Sequence, residues 1–315
     1  METRTKTGPL QRLLDNVNGV LVGKEDVVKR TVITLVARGH LLIEDVPGIG
    51  KTLLGLGLAR SIDAKFRRIQ FTNDLLPSDI LGVHLYDQKE GRFDFRPGPV
   101  FANVLLADEI NRSTPKTQSA LLEAMSERQV SLEGRTLALP DPFLVIATEN
   151  PVEHAGTFPL PEAQLDRFLM RVQVGYPTVA DELKVVRGGE IETRLNSLAP
   201  VLSVEEVLEL QRRAAAVHAD DAVLEYAVAF ARATREDPRV RLGLSPRGAQ
   251  ALAAAAKAAA FLAGRDYCVP DDVKAVAAPV AAHRLMLDGA PFGLGRVQES
   301  ERLVESILAK VPAPR

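Results

Sequence analysis

A single segment, residues 40–54 (HLLIEDVPGIGKTLL), constrains the fold of this chain more than any other. Its apolar run 41–43 is bounded by turn residues, as in a strand that is buried on both faces. Gly48 and Gly50 follow, where a Cβ would obstruct a tight curl of the backbone, and helix-compatible residues continue over 52–60. A strand, such a loop and a helix in this order aim backbone N–H groups at one spot and favour an anion there.

The loop also carries the two side chains that a nucleotide phosphate site requires. Lys51 would bring a full positive charge to the β- and γ-phosphates, and the Thr52 hydroxyl would be a ligand of Mg²⁺. We therefore predict a nucleotide-binding loop formed by Val46, Pro47, Gly48, Ile49, Gly50, Lys51, Thr52 and Leu53.

One position departs from the general P-loop pattern, which places its first glycine where this chain has Asp45. Asp tolerates left-handed backbone geometry better than most residues. Either Asp45 takes that conformation, or it lies where the loop needs no such residue. The alternative for the whole segment is a chance Gly-Lys-Thr in an ordinary turn, but the strand before it and the helix after it favour the nucleotide site.

Composition limits the class of protein. With 315 residues, of which 46% are hydrophobic and 25% charged, the chain is an ordinary globular mixture long enough for two domains. The formal net charge of −2 indicates no global attraction to nucleic acid or to an anionic membrane. No run reaches the ~18 apolar residues of a membrane span, and the polar N-terminus lacks the apolar core of a signal peptide.

The single cysteine, Cys268, cannot form an intramolecular disulfide, which fits a reducing compartment. Because it lies between Tyr267 and Val269, we interpret it as a small buried hydrophobe rather than a nucleophile. We expect a cytoplasmic protein.

Hydrophobic patterns divide the chain near residue 177. Before that point, helical periods over 10–21 and 24–38 precede a series of buried strands, predicted at 41–43, 66–71, 103–107, 143–147 and 168–174. Two hairpins are indicated over 83–95 and 130–139. Beyond 177 the chain is alanine-rich and helical, with helices predicted at 178–195, 203–217, 222–234, 245–263, 270–287 and 297–310.

Two acids directly follow the third predicted strand. Asp108 and Glu109 would lie at the carboxyl edge of a sheet, where ligands of α/β proteins bind. Asp108 would hold Mg²⁺ through its water shell, and Glu109 would act as general base on the attacking water. The alternative, a solvated acidic turn, is the weaker interpretation because the acids follow a buried strand downstream of a phosphate loop.

Three further polar residues are candidates for catalysis. Asn150 ends the fourth strand and would orient the water or contact the γ-phosphate, although Asn-Pro is also an ordinary turn. Arg167 precedes the fifth strand, and Arg247 opens a helix of the C-terminal part. Each is a surface charge unless a triphosphate lies nearby, in which case a forked guanidinium suits the charge on the transferring group.

The order of these motifs resembles that of AAA+ ATPases, and within them the chain is most similar to the MoxR group. The segments that carry the resemblance are 44–52 (EDVPGIGKT), 107–112 (ADEINR), 147–151 (ATENP), 160–168 (LPEAQLDRF) and 244–247 (LSPR). The resemblance covers nearly the whole chain, and an Asp at position 45 is usual in that group.

The resemblance implies a role for each matching residue. Lys51 and Thr52 correspond to Walker A, Asp108 and Glu109 to Walker B, and Asn150 to sensor 1. Arg167 corresponds to the arginine finger that reaches the nucleotide of a neighbouring subunit, and Arg247 to sensor 2.

Two more arginines, Arg112 and Arg171, are the second choice for the residue that acts on a neighbour, should Arg167 face inward. We also include Val22 and Gly23 in the expected nucleotide-binding set.

The resemblance also implies an architecture: a core of residues 1–176 with a five-stranded parallel sheet in the order 5-1-4-3-2 and helices on both faces, then an all-helical lid of residues 177–315. The hairpins match a helix-2 insert, within 73–100, and a pre-sensor-1 hairpin, within 127–140. The implied cofactors are ATP and Mg²⁺. The implied assembly is a hexameric ring, often with a von Willebrand factor A partner protein.

The leading hypothesis is ATP hydrolysis at subunit interfaces that drives chaperone-like remodelling or activation of partner proteins. The alternatives are the ATPase subunit of a metal chelatase, a DNA-translocating motor, and a nucleotide-gated scaffold with negligible turnover. The net charge argues against the DNA motor.

Overall fold

The structure is a computed structural model, and it describes residues 8–45, 48–150, 156–186, 190–288 and 294–314. The N-terminal part of the fold alternates helices with strands. In chain order its elements are α1 Pro9–Asn18, α2 Glu25–Val36, β1 Leu41–Glu44, α3 Lys51–Ser61, β2 Phe66–Gln70, α4 Pro77–Leu81, β3 Gly82–Asp87, β4 Arg92–Pro97, β5 Val104–Asp108, α5 Pro115–Glu127, β6 Gln129–Leu132, β7 Arg135–Ala138, β8 Leu144–Glu149, α6 Glu162–Leu165 and β9 Met170–Val172.

Five parallel strands form the central sheet in the order β2-β5-β8-β1-β9. Numbered along the chain within this sheet, the order is 5-1-4-3-2, which confirms the predicted topology. Because the strands are parallel, the segments that follow β1, β8 and β5 leave the sheet at the same edge, side by side.

Alternate residues of each strand supply two apolar clusters, one on each face of the sheet. On β1, Leu41 and Ile43 belong to one cluster and Leu42 to the other. On β8, Ile146 joins the first cluster and Val145 the second. Both faces of these strands are therefore buried, which explains why their sequences are continuous apolar runs without polar alternation. The first cluster continues into the C-terminal helices, and α5 covers the second.

Both predicted hairpins are present, as the antiparallel pairs β3–β4 and β6–β7. The first turns at Gly91 and the second at Glu133, both with positive φ. They contact one another, since Nδ1 of His84 lies 3.2 Å from Oε2 of Glu133. At the tip of the first hairpin the rings of Tyr86 and Phe93 are in tilted contact, with centroids 5.2 Å apart, and the residues remain 56% and 68% exposed.

The C-terminal part is helical, as predicted. Its elements are α7 Val179–Val186, α8 Glu190–Ser197, α9 Val204–Ala215, α10 Asp221–Glu236, β10 Val240–Leu242, α11 Pro246–Leu262, α12 Pro270–Ala281, β11 Met286–Leu287 and α13 Leu294–Leu308. Ser203 caps α9 reciprocally with Glu206. Cys268 is buried, and burial raises the pKa of its thiol to about 11, consistent with a packing role.

Two details of this part differ from the sequence prediction. β10 and β11 form a short antiparallel pair, too short to show an alternating pattern. The helix predicted over 270–287 ends as an α-helix at Ala281. Pro279 lies inside its last turn and donates no backbone hydrogen bond, and a 3₁₀ turn, Ala282–Arg284, follows.

A buried ion pair fastens the helical part to the sheet. Arg284 is 6% exposed, and its Nε donates to Oδ1 of Asp166 at 2.8 Å. Its second terminal nitrogen donates to the carbonyl of Phe168 at 2.6 Å. Burial lowers the pKa of the neighbouring His283 well below its ordinary value, so that ring adds no charge to the junction. Arg284 thus places a guanidinium against the Asp166 carboxylate at the partly buried junction between the helical part and the sheet.

We predict that Arg284→Ala destabilises the protein strongly, because it removes the cation from a buried ion pair. The free energy of unfolding should fall by about 3 kcal/mol, as measured by urea denaturation. The matched control is Arg232→Ala, which breaks an exposed pair with Glu236 at 3.9 Å and should change the same quantity by less than about 0.5 kcal/mol. A loss as small in Arg284→Ala as in the control would show that the pair does not fasten the junction.

Candidate functional site

The loop after β1 has the shape of a phosphate cradle. Gly48 and Gly50 have φ values of +85° and +93°, in the left-handed region that suits glycine. A Cβ at Gly48 would face open space, whereas at Gly50 it would lie 2.9 Å from Cδ1 of Leu21. Gly50 is the N-terminal cap of α3, so the first N–H groups of that helix are available to an anion in the loop.

Lys51 is held inside this loop. It is 8% exposed, and its Nζ donates to the carbonyl oxygen of Asp45 at 2.8 Å. Burial lowers the pKa of Lys51, while the nearby carboxylates of Asp108, Asp45 and Glu109 act in the opposite direction. The ammonium is therefore already removed from bulk water, in the position where a phosphate would pair with it.

Asp45, at the position of the missing glycine, has a structural use of its own. It is not among the described non-glycine residues with positive φ. Asp45 therefore lies where the loop does not need a left-handed backbone. It is buried, its N–H donates to the carbonyl of Glu149, and its Oδ2 accepts the N–H of Gly175 at 2.6 Å. Its side chain thus ties the loop to the segment between β9 and the C-terminal helices.

A single threonine fixes the two acids after β5. Thr148, on the adjacent strand β8, donates its hydroxyl to Oδ1 of Asp108 at 2.6 Å and accepts the N–H of Glu109 at 2.8 Å. Glu109 has a φ of +56°, a left-handed conformation that is uncommon for glutamate. This bend presents both carboxylates at the same edge of the sheet.

Three residues that the sequence analysis did not assign to the cleft hold the outer oxygens of these acids. Arg68 lies 2.6 Å from Oδ2 of Asp108. Gln70 donates to Oε2 of Glu109 at 2.8 Å, and Arg112 lies 3.1 Å from the same oxygen. Strand alternation places Arg68 and Gln70 on one face of β2, but only the strand order shows that the acids of β5 lie next to it.

One cleft of about 630 Å³ joins the loop to the acids. It is lined by Gly48, Gly50, Lys51, Thr52, Leu53, Arg68, Gln70, Asp108, Glu109 and Arg112. The described residues contain no group of three or more His, Cys, Asp or Glu that could hold a metal unaided. Thr52 and Asp108 nevertheless fit Mg²⁺, which takes a few protein oxygens and completes its shell with phosphates and water.

Other residues of the predicted nucleotide set lie around this cleft. Val22 and Gly23 follow Leu21, which contacts Gly50, and a Cβ at Gly23 would lie 2.3 Å from a carboxylate oxygen of Asp181 in α7. This turn is therefore packed between the loop and the C-terminal helices. Ile49 and Leu53 pack against the core. Val46 and Pro47 lie outside the described residues.

Asn150 and Arg247 occupy different positions relative to the cleft. Asn150 is buried directly after β8, the strand that pairs with both β1 and β5. It therefore lies between the loop and the acids. Arg247 is exposed in the first turn of α11 and is not among the lining residues of the cleft. Its neighbour Ser245 lies 3.5 Å from Asp166, beside the ion pair that fastens the two parts.

The three arginines proposed to act on a neighbour differ in their surroundings. Arg171 is buried between Glu44 and Glu301, and Arg112 lies in the nucleotide cleft of its own chain. Arg167 is half-buried, and its Nε donates to Oγ of Ser126 at 2.8 Å. It faces a separate polar surface cleft lined by Ser119, Glu123, Glu127, Gln129 and Ser131. Of the three, Arg167 is the one that lies at the surface away from the cleft between the loop and the acids.

Comparison with known proteins agrees with this geometry. Residues 40–170 match the family described as ATPase family associated with various cellular activities (AAA), and residues 232–307 match the AAA lid domain. The Chaperone MoxR1 of Mycobacterium tuberculosis is 44% identical over 288 residues, which are 88% of this chain and 76% of that protein. This chain belongs to the MoxR group of AAA+ ATPases.

Two further proteins are similar to this chain over nearly its full length. The uncharacterized protein YeaC of Bacillus subtilis is 48% identical over 97% of this chain and 95% of its own. The crystal structure of a candidate ATPase from Cytophaga hutchinsonii, 39% identical, superimposes with a TM-score of 0.87 over 98% of this chain and 95% of that one. Among the described residues, no helix combines the length and apolarity needed to cross a membrane.

Substitutions at Asp45 test its structural use in this MoxR-type chain. Asp45→Ala leaves the Gly175 N–H without its acceptor and should lower the free energy of unfolding by about 1–2 kcal/mol in urea denaturation. Asp45→Asn keeps an acceptor and should cost less. Asp45→Gly restores the general P-loop pattern, yet it should be destabilised like the Ala variant; wild-type stability in that variant would refute the role of the side chain.

Proposed function

We propose that this protein hydrolyses ATP with Mg²⁺ at the interfaces between subunits of a hexameric ring, and that hydrolysis drives the remodelling or activation of partner proteins. The observation that supports this most is the single cleft in which Lys51 and Thr52 meet Asp108 and Glu109. Residues 1–176 would be the nucleotide-binding core and residues 177–315 the lid. We place the protein in the cytoplasm, since its one cysteine is buried and free.

The cleft supplies the groups for attack of water on the γ-phosphorus. Glu109 accepts the proton of the attacking water while the bond from the γ-phosphorus to the β–γ bridging oxygen breaks and ADP leaves. Lys51 neutralises the β- and γ-phosphates, and Asn150 orients the water. Thr52 directly, and Asp108 through the water shell of the metal, would hold Mg²⁺, which would supply further positive charge to the phosphates.

Two variants separate binding from chemistry. Glu109→Gln keeps the size of the side chain but removes the proton acceptor, so it should bind ATP and release phosphate on the order of 100-fold more slowly. Lys51→Ala removes the cation from the loop and should abolish binding. Binding is measured with a fluorescent ATP analogue and turnover by phosphate release. An unchanged rate of phosphate release in Glu109→Gln would disprove its role as the base.

Arg167 is the group best placed to complete the site of a neighbouring subunit. It lies on a polar surface separate from its own nucleotide cleft, and the hydrogen bond to Ser126 fixes its direction. The preceding residue, Asp166, is held by the lid through Arg284. A movement of the lid, with Arg247 at its edge responding to the nucleotide, would therefore reach Arg167.

Mixed rings test whether Arg167 acts between subunits. Arg167→Ala and Lys51→Ala should each be nearly inactive alone, because an arginine finger contributes on the order of 10³ in rate and Lys51 is needed for binding. When the two are mixed, a Lys51→Ala subunit can donate its intact Arg167 to the intact cleft of its neighbour, and phosphate release should recover well above either parent.

The control for this experiment is Lys116→Ala, an exposed substitution on α5, which should be active without being mixed with a second variant. Size-exclusion chromatography of differently tagged subunits verifies that mixed oligomers form. No recovery of activity in verified mixed oligomers would place Arg167 outside the site.

Two observations support the remodelling role. A relative of this chain is named a chaperone. The hairpin tip of Tyr86 and Phe93 leaves two large aromatic rings exposed, and the His84–Glu133 contact links it to the second hairpin. Together the hairpins would transmit nucleotide-driven motion to a partner, for which a von Willebrand factor A domain protein is our candidate.

A further inference from the structure

Arg68 reaches from β2 to the metal-binding acid of the cleft. Its guanidinium lies 2.6 Å from Oδ2 of Asp108 and also donates to Oε1 of Gln70 at 3.3 Å. The side chain of Arg68 is 48% exposed, whereas that of Asp108 is 15% exposed. A contact this short between two ionised groups is a charge-assisted hydrogen bond, stronger than a bond between neutral groups.

The two oxygens of Asp108 are held differently. Oδ1 accepts the hydroxyl of Thr148, a fully buried residue of β8, so that bond is fixed by the sheet. Oδ2 is held by the half-exposed Arg68, whose long side chain can leave without disturbing the core. Oδ2 is therefore the oxygen that the water shell of Mg²⁺ would use. A guanidinium and a hydrated dication at the same oxygen repel each other, so each weakens the hold of the other on Asp108.

We infer that Arg68 is a counter-cation built into the cleft, which competes with Mg²⁺ for Asp108 and so sets how strongly nucleotide binding depends on Mg²⁺. This inference rests on the proposed function in one respect: it takes the cleft as the site of ATP and Mg²⁺. The inference adds to the proposed site a residue that is neither part of the phosphate loop nor one of the proposed catalytic residues.

The charges of the cleft give the competition two opposite consequences. While Arg68 pairs with Asp108, the carboxylate repels the phosphates of a nucleotide less, so binding without Mg²⁺ is favoured. The same guanidinium repels the metal shell at Oδ2, so binding with Mg²⁺ is weakened. Removal of Arg68 should therefore weaken binding without Mg²⁺ and strengthen binding with it.

The preceding residue provides a matched control. Arg67 has the same charge and is exposed on the same strand, but successive side chains of a strand point to opposite faces, and Arg67 is not among the residues that line the cleft. Arg67→Ala and Arg68→Ala change the net charge equally. They differ in the contact with Asp108.

The experiment measures the dissociation constant of a fluorescent, non-hydrolysable ATP analogue twice for each protein, once with excess Mg²⁺ and once with EDTA. The ratio of the EDTA value to the Mg²⁺ value should be larger in Arg68→Ala than in the wild type by roughly fivefold or more. Arg67→Ala should keep the wild-type ratio. Arg68→Lys, which restores a cation on a flexible stem, should return the ratio most of the way to wild type.

Each other outcome has a definite meaning. A ratio in Arg68→Ala equal to or smaller than that of the wild type overturns the inference. Equal weakening with and without Mg²⁺ would show that Arg68 is a direct phosphate ligand, and it too overturns the inference. If the wild type and Arg67→Ala bind no nucleotide under either condition, the proposed function fails first, and the inference fails with it.

Discussion

Three adjacent parallel strands, β1, β8 and β5, end at one edge of the sheet, and the proposed nucleotide site depends on that convergence. Each strand delivers a different chemical group: the phosphate loop, the buried amide of Asn150, and the two acids. Separate segments of the chain are thereby brought within reach of one ligand, and the dry packing on both faces of the sheet keeps them in register. The proposed catalytic arrangement is thus a consequence of the strand order.

The same site is physically connected to the helical lid. Asp45 ties the loop to Gly175, and the turn at Gly23 packs against α7. Elsewhere in the lid, Arg284 forms the ion pair with Asp166, the residue before Arg167. A change at the phosphate loop can therefore reach the lid through direct contacts. The lid in turn directly contacts the residue next to Arg167, on the surface proposed to face the next subunit.

Much of this was predictable because it depends on local patterns. The strand that ends in Asp108 and the loop around Gly50 carry their signals in consecutive residues, and the family resemblance supplied the strand order that local patterns leave open. The contacts of Arg68 and Gln70 with the two acids were missed because they arise from pairing between β2 and β5, which are distant in sequence. The pair β10–β11 was missed because strands of two or three residues have no periodicity to detect.

The central claim is that two subunits share each catalytic site. Its most direct test is the rate of ATP hydrolysis per subunit across the concentration range in which the protein assembles, with the assembled fraction followed by sedimentation velocity. The account predicts that the rate per subunit rises in proportion to the assembled fraction and is negligible for monomers. An equal rate per subunit in strictly monomeric protein would contradict it.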